Sequence, residues 1–138
     1  MVEIANPKGA FGQTAHSRTV ETFIASGAVA VNEPVCRVPA TGFSHVEKLD
    51  EDDTNVAKYF VGVAVAAAAD GEAVEVVTRG PVTVATSGTA SAGNYAYKGT
   101  SGNDGTLTGN STATVGTICG VFLTGITNNT ATVDVWKG

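Results

Sequence analysis

The chain has 138 residues, of which 43% are hydrophobic and only 15% charged, with a formal net charge of −5. A chain of this length fits one compact domain, or two very small halves sharing a core, and folds without disulfide staples. Eight basic residues scattered singly against thirteen acidic ones exclude a phosphate-binding footprint, so no nucleic-acid partner is expected.

The elements follow in chain order. Residues 1–22 carry Pro7, Gly9 and Gly12 with little periodicity, which predicts an extended N-terminal arm that orders against a partner. The start, Met1 to Pro7, lacks a basic segment leading into an apolar run, so no secretory leader is expected. Val29-Ala30-Val31 and Val35-Cys36-Arg37-Val38 read as strands flanking the turn Asn32-Glu33-Pro34. Asp50-Glu51-Asp52-Asp53 would suit a helix N-terminus, which makes residues 50–58 the one short helix to expect. Tyr59 to Val65 is β-branched and aromatic and reads as a strand. The turn Asp70-Gly71 leads into strands at 73–78 and 81–85. Tyr95 to Lys98 alternates like a half-buried strand. Residues 99–114, rich in Gly, Thr, Asn and Ser, read as a long surface loop or thin hairpin. Strands at 117–123 and 131–136 complete the chain. The longest apolar run, Val61 to Ala69, is too short to span a bilayer, so no membrane partner and a soluble protein made in a cytoplasm are expected.

The most informative feature is an internal repeat. With Gly62 set on Gly120, a displacement of 58, Gly62-Val63 matches Gly120-Val121 and Asp70-Gly71 matches Asn128-Asn129. Continued without a gap, the alignment matches Ala73 with Ala131, Val77 with Val135, Arg79 with Lys137 and Gly80 with Gly138. Upstream, at a displacement of 61, Ser26-Gly27-Ala28 matches Ser87-Gly88-Thr89, and Val35-Cys36-Arg37 matches Ala96-Tyr97-Lys98. Two such halves, each with an apolar face, would pair those faces. The expectation is an all-β fold, a small β-sandwich or β-barrel built from two duplicated units. Residues 1–22 form the arm and 23–138 one domain, with pseudo-repeats at about 23–80 and 84–138.

The units Asn32-Glu33-Pro34-Val35, Phe60-Val61-Gly62-Val63-Ala64 and Asp70-Gly71-Glu72-Ala73-Val74-Glu75-Val76 resemble the capsid cement, or head-decoration, proteins of tailed bacteriophages. In that family a Gly-Asp-Pro-Val turn precedes an Ile-Gly-Val-Ala strand and a Gly-Glu-x-Val-x-Val strand. The second half repeats the pattern more loosely, and Asn32-Glu33 departs from it, since Glu is a poor turn residue. The resemblance spans about residues 24–138. It implies a homotrimer on the capsid exterior of the virion that locks major capsid protein subunits together, with the arm making part of the contact. Strand addition by arm residues 3–20 is one route, with Ile4, Phe11, His16 and Arg18 as contact residues. Apolar contacts around Phe23, Phe43 and Tyr59 would hold the subunits together.

Chemistry finds little support in the sequence. A catalytic His needs a nucleophile or carboxylate held beside it; His16 sits in the arm and His45 in a loop, and both read as surface or interface histidines. Cys36 aligns with Tyr97 and Cys119 with Val61, ordinary strand positions, so both cysteines read as small hydrophobes. The acidic run lacks the spacing and central Gly of a calcium loop, and Cys and His are too few for zinc. No catalytic residue, metal or cofactor is expected. The alternative is a carbohydrate-binding or adhesive module of a virion fibre, with Tyr95, Tyr97 and Trp136 as a stacking platform.

Overall fold

The computed structural model describes residues 18–38, 42–49, 60–99, 103–112 and 118–136. They form strands and turns and no helix: β1 (Thr19–Ala25), β2 (Pro34–Val38), β3 (Gly42–Lys48), β4 (Phe60–Ala64), β5 (Ala73–Ala85), β6 (Tyr95–Lys98), β7 (Leu107–Asn110), β8 (Gly120–Phe122) and β9 (Thr130–Trp136). The helix expected over 50–58 lies outside the described residues.

Five strands close a barrel. β1 runs parallel to β3; β3 pairs antiparallel with β2, β2 with β4, and β4 with β5. The first half of β5 then returns to β1. At Arg79 the long strand exchanges β1 for β9, and the order continues β9–β8–β6–β7. Thr86, just past β5, meets Leu107 in a parallel bridge that joins the two ends of this second set. The fold is thus all-β, a barrel (unit one) carrying a second unit of the same plan (unit two).

The two units repeat each other pair by pair. Pro34↔Val63 and Val35↔Gly62 return as Tyr95↔Val121 and Ala96↔Gly120. Cys36↔Glu47 and Arg37↔Val46 return as Tyr97↔Thr108 and Lys98↔Leu107. The parallel contact Ala25↔Val46 returns as Thr86↔Leu107. Turn chemistry follows: the Ala30 N–H donates to Glu33 Oε1 at 3.1 Å and the Ser91 N–H to Asn94 Oδ1 at 3.0 Å. All these pairs stand at the displacements of 61 and 58 read from the sequence.

Past the tight turn the correspondence shifts. Ile24↔Ala73 and Phe23↔Val74 return as Ala85↔Thr130 and Val84↔Ala131, so Val74 answers to Ala131, 57 positions on. The ungapped match of Ala73 to Ala131 and Val77 to Val135 is one residue out. A one-residue slip turns every side chain of a strand to the other face. It would set the buried Val74 and Val76 against Thr132 and Asp134, whereas Ala131 and Val133 are the buried residues. The turn absorbs the difference: Gly71 (φ 84) lies in the left-handed region in unit one, and both Asn128 (φ 53) and Asn129 (φ 59) do so in unit two.

The core follows from strand alternation. Phe23, Ala25, Val35, Val46, Val61, Ala64, Val74 and Val76 fill barrel one. The opposite faces of β2, β4 and β5 contribute Cys36, Phe60, Val63 and Val77 to a second cluster, which continues into Val84, Leu107, Phe122, Ala131 and Val133 of unit two. Residues of β4 are therefore buried on both sides, and a continuous Phe-Val-Gly-Val-Ala run replaces alternation. Each such valine, taken fully out of water, contributes about 1.5–3 kcal/mol.

Several expectations change. Thr19–Thr22, assigned to the arm, belong to β1 and pair with β5. Val29–Val31 is not a strand: Val29 makes an isolated bridge to Ala68 and Val31 is exposed in the turn. The two strands expected at 73–78 and 81–85 are one, with Gly80 taking a positive φ (104) inside β5. His45 lies on β3, not in a loop.

Candidate functional site

The surfaces that could meet a partner are best built from the repeat. In unit one the outward face holds Pro34 and Cys36 on β2, Phe60 and Val63 on β4, and Val77 on β5, and all five are buried. Unit two lies on them. The corresponding face of unit two holds Tyr95 and Tyr97 on β6, Ile118 and Val121 at β8, and Asp134 on β9, and none of these is buried. Leu123 is 48% exposed, whereas its counterpart Val65 packs on the shared core. Trp136 shares the outer face of β9 with Asp134 and is half-buried. Register lines up Asp134, Val121 and Tyr95 across three adjacent strands. The result is a strip of aromatic and aliphatic side chains with one carboxylate, Asp134, in it. The three aromatics singled out in the sequence are on this one face, and the Tyr97 hydroxyl is held by donation to the Thr112 carbonyl.

The barrel rims differ in the reverse sense. In unit two, Val82 and Val135 join the cluster that includes Val77 and Phe60. The corresponding residues of unit one are Glu21 and Thr78, where the Thr78 hydroxyl donates to Glu21 Oε2 at 2.8 Å. That bond satisfies a hydroxyl on a residue only 3% exposed.

Of the residues named from the sequence, Ile4, Phe11, His16 and Tyr59 lie outside the described residues. Arg18 is exposed immediately before β1, and Phe43 lies on β3. Phe23, named as a subunit contact, is a core residue of this chain. It is buried inside barrel one, with the Arg37 guanidinium 5.5 Å from its ring centroid. Large apolar residues are placed inside wherever a strand's inward position falls on them, and Phe23 is such a position. Val121 and Leu123 were missed as surface residues. The signal was present in the alignment, since they answer to positions that unit one buries.

Ser44 Oγ and His45 Nδ1 lie 3.4 Å apart at an exposed position on β3. Cys36 and Cys119 are buried thiols not joined to each other, and burial pushes the Cys119 thiol up to about 12, which suppresses the nucleophilic thiolate. Among the described residues no group of three His, Cys, Asp or Glu side chains is placed to hold a metal ion. A shallow recess lined by Val29, Ala68, Glu33, Lys48 and Glu72 is mostly alanine-walled. Glu33 and Glu72 each accept a backbone N–H there, from Ala30 and Ala69. Among the described residues no helix is long and apolar enough to cross a membrane.

No family model matches the sequence, and no curated protein matches it. Among solved structures the chain is similar to the N base of the head fiber gp8.5 of bacteriophage phi29, with a TM-score of 0.59 over 88% of this chain and 97% of that one. Sequence identity is 17%, so the two share a fold.

Proposed function

We propose that this chain is a structural, non-enzymatic protein of a phage virion that sits on the capsid exterior and stabilises contacts between major capsid protein subunits. The observation that carries the reading is the shared fold: nearly the whole of a phage head fiber base aligns with it. The sequence resemblance to capsid cement proteins points the same way. A charge-poor sequence and two units fused through one strand suit a plug whose affinity comes from many modest contacts. Trimeric copies would multiply those contacts into avidity.

A second reading has its own support. The structural neighbour is named as a fiber base, and Tyr95, Tyr97 and Trp136 share one face. On that reading the chain is the capsid-proximal or adhesive piece of a fibre. Purified protein mixed at micromolar concentration with capsids that lack it decides the capsid reading. Added density at the three-fold positions is expected, and bare capsids would reject it. A chain beginning at Arg18, which keeps β1 whole, should bind more weakly if the preceding arm contributes.

A further inference from the structure

We infer that Arg18 and Arg79 together form a docking point for carboxylate groups on a protein partner. The repeat singles them out. Phe23 and Ala25 of unit one answer to Val84 and Thr86 of unit two at a displacement of 61, and the same displacement sets Arg18 on Arg79. Among the described residues no carboxylate is kept between the units: Glu21 answers to Val82, Glu33 to Asn94, Glu47 to Thr108 and Asp70 to Asn128. At Glu33 the turn needs an acceptor and not a charge, since Asn94 Oδ1 takes the equivalent backbone N–H. Among the described residues two positions are charged in both units, Arg18 with Arg79 and Arg37 with Lys98, and both are cationic.

The strand shared by the units brings the two counterparts together. Thr19 is the register partner of Arg79, so Arg18 stands one residue from that pair. Diagonal neighbours across an antiparallel pair are within reach of long side chains. The other register partner of Arg79 is Trp136, so neither neighbouring strand sets a carboxylate opposite it. Glu21, the acid of β1, accepts the Thr78 hydroxyl at 2.8 Å. Arg18 and Arg79 are both exposed, so packing does not demand them. Like charges beside each other on adjacent strands repel, which makes the retained pair a small cost to stability. Two guanidinium forks at one spot match carboxylates, which Arg takes bidentately. A nucleic-acid backbone would need a longer cationic track. The occupant is therefore an acidic protein segment, and on the capsid reading it belongs to the major capsid protein.

Naming the capsid protein rests on the capsid reading; the carboxylate site does not, and two arms separate them. In the first, the full chain is titrated with an oligoglutamate peptide while the arginine Nε resonances are followed. Arg18 and Arg79 should shift along one binding curve, and Arg18→Gln should weaken the response of Arg79 by about threefold to tenfold. Lys48→Gln, at an exposed cation that unit two replaces by Gly109, should leave the curve unchanged. In the second, capsids that lack the protein are mixed with wild type, Arg79→Gln and Arg79→Lys, and melting temperatures verify an intact fold. Binding should fall about threefold to tenfold for Arg79→Gln, fall less for Arg79→Lys, and weaken as salt rises. Arginines silent to the peptide, or responding independently of each other, overturn the site. An equal response to inorganic phosphate at the same concentration overturns the choice of a carboxylate partner. Capsid binding indifferent to Arg79→Gln overturns the docking role. Responsive arginines beside bare capsids uphold the site and reject the capsid reading.

Discussion

Unit one and unit two share strand order, registers and turn chemistry, yet their surfaces are nearly inverted. Unit one has an apolar outer face, wholly covered, and a polar rim. Unit two has an apolar rim, wholly covered, and an outer face only partly covered. The fold does not decide which of its surfaces is apolar; position in the pair does. The backbone plan is set by the features both units keep, and these are the glycines, the left-handed turns and the inward strand positions.

The largest effect should therefore be common to both units. A Cβ on Gly62 would collide with the Val77 carbonyl oxygen, and one on Gly120 with the equivalent Asp134 carbonyl oxygen. Gly62→Ala and Gly120→Ala should each cost about 3 kcal/mol or more, since backbone cannot step aside as a side chain can. Thermal melts would measure this, and a loss under about 1 kcal/mol at either site breaks the equivalence.

The next effect separates the units. Val135→Thr places a hydroxyl in the shared core at a residue 1% exposed and should cost about 2 kcal/mol. The mirror change, Thr78→Val, leaves exposed Glu21 free to hydrate and should cost under about 1 kcal/mol. Denaturant unfolding of the two variants should give unequal midpoints, and equal losses would mean that the rims are not functionally different. The smallest effect is a gain. Thr86 answers to Ala25, and its Oγ1 is buried with no hydrogen-bond partner among the described residues. Thr86→Val should stabilise by about 1 kcal/mol, because an unmet buried hydroxyl is a standing cost. A destabilised variant would show that the hydroxyl has a use.

Much of the fold was legible because duplication doubles each weak signal. Gly62 and Gly120, the Asp-Gly and Asn-Asn turns, and the paired Ser-Gly turns locate equivalent strands without any knowledge of partners. β3 escaped because only Val46 and the residue after the strand, Leu49, are buried along its described side chains, and polar residues hide the alternation. β7 escaped in the Gly- and Thr-rich stretch around the fully buried Leu107. The one-residue slip after the turn was invisible because Ala, Val and Thr match at either register, and only inward and outward facing tells them apart. The open face was half legible. Tyr95, Tyr97 and Trp136 stood out as aromatics, but nothing local says that Val63 is covered and Val121 is not. That asymmetry belongs to the docking of one barrel on the other.

β5 is thirteen residues long and supplies a strand to both units. Neither unit can be excised without taking a strand from its neighbour. Slack introduced at one end of this shared beam is transmitted along the same peptide chain to the other. The molecule should therefore yield as a single mechanical body, a useful property in any part whose work is to hold larger pieces still.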